Sequence, residues 1–243
     1  MRRSIVAAGA AALALVPASV AIAGFHQDAR VALTTHHAGD SSGISAQVRS
    51  ADAAAPGAKP KRATKLEIAF PAHTHFNLST PLAATCTLTD KQLTTPFGPS
   101  CPAHSQIGSG SAQLNAMPIP PAPIGAEVKA YVSGANSLLV VLFPDQKLLP
   151  GTPPIIIHAT VAGPRLTLPL PHVVYGKGKG DYKSFPGITA VIVSLKLNVP
   201  ALGTGSKSLI TAGSCHAGQF VVDSRFTYAD RTKMLLTSRS TCS

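Results

Sequence analysis

The chain has 243 residues, of which 45% are hydrophobic and 13% charged, with a formal net charge of +11, 21 Pro, 20 Gly, four Cys and no Trp. The hydrophobic fraction excludes a chain that is disordered throughout, and the length allows one sizeable domain or two small ones. Since Glu occurs only at positions 67 and 127, whereas Val, Thr, Pro and Gly are frequent, the composition excludes an all-α protein and favours strands joined by turns.

Residues 1–23 carry the pattern of an export signal. Arg2 and Arg3 precede an apolar run over 5–16, and small residues follow up to Ala23. This order predicts a signal peptide cleaved after Ala23, because the run falls short of the roughly 20 apolar residues that a membrane anchor needs. The general secretory route fits this signal better than the twin-arginine route. We therefore expect a secreted protein that is extracellular or associated with the cell envelope, with no membrane span after cleavage.

Residues 24–63 lack sustained strand or helix periodicity. The segment is rich in Ala, Gly, Ser and Thr and closes on Pro56, Gly57 and Pro60. Such a composition offers little burial to offset the entropy of ordering the chain. We interpret it as a flexible, disordered spacer between the signal peptide and a single folded domain over 64–243.

Within 64–243, apolar and polar residues alternate repeatedly, as in strands with one buried face. About ten such strands, separated by Pro and Gly turns, predict an all-β domain, specifically a β-sandwich of the Ig-like or jelly-roll-like kind. A partly closed barrel is the alternative architecture. The predicted strands are 66–70, 84–89, 108–115, 128–132, 138–143, 155–161, 165–170, 191–197, 208–211, 219–228 and 233–241.

Four cysteines in an exported chain indicate two disulfides, for which three pairings exist. The midpoint between Cys215 and Cys242 falls at the predicted turn between strands 219–228 and 233–241, so a tight hairpin would place these two opposite each other. The spacing therefore predicts the pairs Cys86–Cys101 and Cys215–Cys242. A zinc site made of all four cysteines is disfavoured, because it requires cysteines paired at short spacing.

Two segments resemble a known family. Residues 101–112 fit the pattern CPxxSxIGxGxA, and Cys215, Phe226, Tyr228 and Cys242 fit a C-terminal hairpin bracketed by cysteines. The chain is similar in these segments to a family of small exported β-rich proteins of high-GC Gram-positive bacteria. The resemblance implies an extracellular, β-sandwich-like domain and implies no activity. Arg231 stands where the family hairpin has a glycine.

The sequence does not contain the common catalytic motifs. We find no G-x-S-x-G elbow, no H-E-x-x-H zinc motif and no phosphate-binding glycine loop. His73 and His75 would share one face of a strand, a spacing usable for zinc or copper, but no third ligand is fixed by the sequence. We predict no catalytic, cofactor or metal residues. The alternative is a secreted hydrolase or metal-binding protein that uses His73, His75 or His104 with a carboxylate such as Asp181.

Basic residues form two clusters, which are Lys59, Lys61, Arg62 and Lys65 in one and Lys177, Lys179 and Lys183 in the other. Loss of Arg2 and Arg3 on processing lowers the formal charge from +11 to +9. If these clusters bind a partner, anionic envelope polymers or lipid headgroups are expected, and the alternative is that they are solvated basic loops that aid solubility. Nucleic acid is not expected, since aromatic residues are not interleaved with these charges. The sequence thus favours a non-catalytic extracellular binding or structural module of unknown ligand and unknown oligomeric state.

Overall fold

The computed structural model describes residues 25–52, 61–80, 82–95, 100–117, 123–148, 151–171, 173–175 and 188–243. These residues form fourteen strands, a short helix α1 (Asp90–Thr94) and 3-10 turns at Ala103–Ser105 and Gly205–Lys207. The predicted signal peptide, Asp181 and the cluster of Lys177, Lys179 and Lys183 lie outside the described residues. The strands are β1 (Phe25–Leu33), β2 (Ile44–Asp52), β3 (Ala63–Ala69), β4 (His75–Phe76), β5 (Gln106–Met117), β6 (Ile124–Gly134), β7 (Ser137–Pro144), β8 (Ile155–Ala162), β9 (Arg165–Pro169), β10 (Val173–Tyr175), β11 (Ile188–Val199), β12 (Ile210–Thr211), β13 (Gln219–Tyr228) and β14 (Lys233–Thr241).

Twelve of these strands form one antiparallel sheet, in which eleven follow the order β1-β2-β11-β5-β6-β7-β8-β9-β3-β13-β14. The twelfth strand, β10, pairs with the first three residues of β11. The sheet curls until its two edge strands meet. There the Ser238 hydroxyl on β14 accepts the N–H of Val31 at 3.0 Å and donates to the carbonyl of Ala29 at 3.2 Å on β1. The all-β prediction is confirmed, but the described sheet is nearly closed and barrel-like rather than two separate sandwich layers.

The predicted flexible spacer over 24–63 is wrong for residues 25–52. β1 and β2 pair with each other, and β2 pairs with β11 in the main sheet. Their inward side chains include Ala29, Val31, Leu33 and Ile44, which are buried in the core. Pairing with β1 and β11 satisfies the backbone polar groups of β2 along the paired residues, and pairing with β2 satisfies those of β1 on its inner side. The sheet therefore begins near Phe25, well before residue 64.

The interior of the sheet has two distinct ends. At one end, which we call the plug end, the two-stranded sheet of β4 and β12 packs on the core through Phe76 and Ile210. Phe70 and Phe76 pack edge to face there, with ring centroids 5.3 Å apart, and Leu209 and Ile210 are buried in the same core. The opposite end, which we call the basic end, lies beyond the pairing of Ala63 with Tyr228 and carries Lys61 and the turn at Asp230.

Both predicted cysteine pairs lie at disulfide distance, with Cα–Cα separations of 5.2 Å for Cys86–Cys101 and 6.0 Å for Cys215–Cys242. The first pair packs against Tyr131, Leu139 and Val141 in a second hydrophobic cluster on the outer face of the sheet. The predicted strand over 84–89 is wrong, because this segment is irregular and leads into α1. The Cys86 N–H donates a hydrogen bond to the carbonyl of Val132, and this bond anchors the segment to β6 although the two do not pair as strands.

Candidate functional site

The interior of the curled sheet contains an apolar cavity of about 50 Å³. Every described residue that lines it is hydrophobic. An eleven-stranded sheet encloses a wider interior than an eight-stranded one, in which side chains can fill the space. Ala46, Ala130 and Ala159 add to this room, because they line the cavity with single methyl groups where β2, β6 and β8 pass. The cavity is thus an apolar site inside the fold.

A second cavity, also about 50 Å³, lies at the basic end. Val48, Leu66 and Leu195 line both cavities, so the two spaces adjoin at these three side chains. Lys61 and Arg62 contribute to the wall of the second cavity. We call the two adjoining cavities the lumen. Its character changes along its length, from wholly apolar near the plug end to partly charged at the basic end.

Lys61 is held by groups of the turn between β13 and β14. Its ammonium lies 2.7 Å from Asp230 Oδ2, donates to Thr232 Oγ1 and sits 5.0 Å from the ring centroid of Tyr228. Hydrogen bonds from Lys61 and Thr232 lower the pKa of Asp230 to about 2. Burial and the nearby Asp230 charge raise the pKa of Tyr228 to about 12. The ammonium charge of Lys61 is therefore offset by an ionised carboxylate at neutral pH.

Arg62 differs from its neighbour. Its carbonyl accepts the N–H of Ala229 at 3.0 Å, which fixes its backbone beside the Asp230 turn. Among the residues whose side chains are described, no carboxylate forms an ion pair with its guanidinium. Lys65, the other described member of this basic cluster, pairs with Glu67 at 3.3 Å. Arg62 is thus the uncompensated cation at the described wall of the lumen.

The histidines singled out from the sequence do not form a site in the described part of the chain. His73 lies in a turn with φ of 63°, so the expected placement of His73 and His75 on one strand face is wrong. His73, His75 and His104 are all exposed. No group of three or more His, Cys, Asp or Glu residues suited to hold a metal occurs in the residues described.

One histidine pair was not foreseen from the sequence. His158 Nε2 on β8 lies 2.8 Å from Asp90 Oδ1 at the start of α1, and both side chains are more than half exposed. The positions are 68 residues apart, so no local pattern in the sequence could have related them. The pair links α1 to the outer face of the sheet.

A larger groove of about 180 Å³ runs over the outer face of β9, β3, β13 and β14. Arg165 and Arg225 line it together with Glu67 and Asp223, so positive and negative side chains offset each other there. Asp223 also accepts a hydrogen bond from the hydroxyl of Thr237 at 2.7 Å. The groove therefore offers neither an apolar wall nor a dominant charge, in contrast to the lumen.

In the part of the chain that the structure describes, no helix has the length and hydropathy needed to span a membrane. Comparison with known proteins gives no relative for this chain: no family model, no curated protein and no solved structure matches it.

Proposed function

We propose that this protein is a non-catalytic extracellular or cell-envelope-associated binding module whose lumen holds an apolar ligand. The observation that carries this proposal is the cavity lined only by hydrophobic side chains among the described residues, which adjoins a second cavity at the basic end. Transfer of apolar surface from water into such a site is favourable and needs no polar partner inside. The described lining of the apolar cavity also offers no group suited to acid–base or nucleophilic chemistry.

The size of the lumen restricts the shape of the ligand. An apolar cavity of about 150 Å³ is large enough to bind benzene. Each of the two cavities here is about 50 Å³, so a ligand must occupy both and push lining side chains apart. A flexible, unbranched alkyl chain meets this demand better than a ring, because it can pass between Val48, Leu66 and Leu195.

An extracellular location is part of the same proposal. Two cysteine pairs at disulfide distance suit an oxidising compartment, and the N-terminal pattern that ends at Ala23 is that of an exported protein. The resemblance of residues 101–112 to an exported family points the same way. A ligand from the cell envelope would meet the protein in that compartment.

The test is a calorimetric titration with 1-octanol, a neutral unbranched probe. We expect saturable binding to the wild-type protein and at least about tenfold weaker binding to Ala46→Leu, because the larger side chain fills the cavity. Ala46→Val serves if the leucine variant does not fold. Ala103→Leu, at an exposed position, is the matched control and should bind octanol as the wild type does.

Absence of saturable octanol binding to the wild-type protein would contradict a lumen that accepts an alkyl chain. Equal affinity of both folded Ala46 variants and the wild type would place the octanol outside the lumen, and would equally overturn the proposal.

A further inference from the structure

We propose that the ligand is a single-chain amphiphile with an oxyanion head, a carboxylate or a phosphate, whose head binds Arg62 while its tail enters the lumen. This inference rests on the proposed function and adds the chemical class of the ligand and its direction. It assigns Arg62 as the residue that recognises the head. Three features of the lumen carry it.

The first feature is the polarity of the lumen along its axis. At the plug end the described wall includes Phe70, Phe76, Leu78, Leu209 and Ile210, and none of these could pair with a charged group. At the basic end the wall includes Lys61, Arg62 and Ser50. A ligand that matches both ends is apolar at one terminus and anionic at the other. Its tail points toward the plug and its head toward Arg62.

The second feature is the division of roles between the two neighbouring cations. Lys61 is held by Asp230, Thr232 and the Tyr228 ring, so binding of a new anion would compete with contacts that already exist. Arg62 has no such carboxylate among the side chains that are described. A guanidinium also presents parallel N–H donors that fit a carboxylate or phosphate in a bidentate manner.

The third feature is that Ser50, the uncharged polar residue in the described wall of the basic end, already has a hydrogen-bond partner. Ser50 donates its hydroxyl to Gln27 Oε1 at 2.7 Å, and Gln27 Nε2 donates to the carbonyl of Arg49 at 2.9 Å. These groups therefore need no ligand for their own hydrogen bonds. The uncompensated charge of Arg62 is what remains to select the head of the ligand.

The experiment compares octanoate, octyl phosphate and 1-octanol by calorimetric titration of the whole protein at neutral pH. Octanoate or octyl phosphate should bind the wild type about tenfold or more tightly than octanol, and this advantage should shrink at high salt. The tighter of the two anions identifies the head as carboxylate or phosphate.

Arg62→Gln should remove the preference for the anion and leave octanol affinity within about twofold, because only the head contact is lost. Arg165→Gln, which removes the same charge from the outer groove, is the control and should retain the preference. If octanol binds but neither anion binds more tightly than octanol, the inference is overturned and the proposed function stands. The same holds if Arg62→Gln still binds the anion more tightly than octanol. If no probe binds, both are overturned.

Discussion

At the residue scale, the IGxG part of the segment over 101–112 has a structural role. Gly108 and Gly110 lie on β5, where the backbone of β11 approaches closely. A Cβ on Gly110 would stand 1.9 Å from the carbonyl oxygen of Lys196, and one on Gly108 would stand 2.9 Å from that of Asn198. The glycines thus permit the tight strand approach that a strongly curled sheet requires. The motif was visible in the sequence, but the facing carbonyls come from residues far along the chain.

Gly110→Ala should therefore destabilise the protein, by about 2–4 kcal/mol, because the added methyl group must displace backbone rather than a flexible side chain. Gly125→Ala on β6 is the matched control, since nothing lies within 4 Å of its Cβ position. Urea denaturation followed by circular dichroism measures both. Equal stability of the two variants would contradict the close approach of β5 and β11.

The Asp230 carboxyl is the second residue whose behaviour follows from its contacts. Its pKa lies at about 2 because Lys61 and Thr232 donate hydrogen bonds to the ionised form. A pKa lowered by folding stabilises the folded state above the pKa of the unfolded chain, about 3.9, and that stabilisation is lost as the pH falls through about 2. The turn between β13 and β14 should thus loosen in strong acid.

Lys61→Met should raise the pKa of Asp230 toward the ordinary aspartate range, and the stability difference from the wild type should vanish as the pH falls from about 4 to about 2. Carbon-detected NMR titration of the carboxyl group gives the pKa directly. Lys65→Met removes the same charge from the neighbouring pair with Glu67 and should leave the pKa of Asp230 unchanged. A pKa near 2 in Lys61→Met would refute the assigned cause.

At the element scale, the meeting of β1 and β14 closes the sheet without a backbone ladder among the described pairings. Ser238 instead supplies a side-chain bridge, accepting from Val31 N–H and donating to the Ala29 carbonyl. Beside the end of the chain, the Ser243 N–H also donates to the carbonyl of His36 at 2.7 Å. The seam between the edge strands is therefore held, in the described chain, by this side-chain bridge and by contacts of the C-terminal residues rather than by a backbone ladder.

Ser238→Ala should open this seam more often, because two hydrogen bonds to β1 disappear. Hydrogen exchange of the Val31 amide should become about tenfold faster, as expected for a loss of roughly 1.4 kcal/mol. Ser240→Ala is the control on the same strand and the same face, since the Ser240 hydroxyl has no partner in the described structure. An unchanged rate in Ser238→Ala would show that this hydroxyl does not hold the seam.

Elements with strong local patterns were predicted well. Strands 219–228 and 233–241 match β13 and β14 at both ends, because alternation and a turn at Asp230 mark them locally. At that turn Arg231 adopts φ of 67°, a left-handed conformation that favours glycine. β1 and β2 were missed because their inward residues are few and include alanines, and because β2 is held by pairing with the distant β11 while β1 pairs with β2.

At the scale of the whole molecule, the composition was enough to predict an all-β chain, but not the closure of its sheet. In a sandwich and in a curled single sheet alike, inward apolar residues alternate with outward polar residues along each strand. The two architectures differ in which strands pair. The order that places β11 between β2 and β5, and β3 between β9 and β13, joins segments far apart in the sequence. The lumen depends on that order, so its lining residues could not be selected in advance.

Lys61 and Arg62 are the charged residues of the candidate site that the sequence marks, as members of a basic cluster. The sequence predicted a surface patch for envelope polymers or headgroups, whereas two described members of that cluster, Lys61 and Lys65, pair with Asp230 and Glu67. Pairing of this kind leaves a single uncompensated cation among the described members of the cluster, beside an apolar cavity. The proposed partner is accordingly a single amphiphilic ligand rather than an extended anionic surface.

The most direct test of a ligand-holding lumen locates the alkyl chain by NMR. In a complex of octanoate with protein carrying labelled Leu and Val methyl groups, nuclear Overhauser effects should join the alkyl chain to Val48, Leu66 and Leu195, which line both cavities. Leu235, exposed on the outer groove, should show none. Contacts with Leu235 in place of the three lumen residues, or no contacts at all, would contradict a lumen that holds the chain.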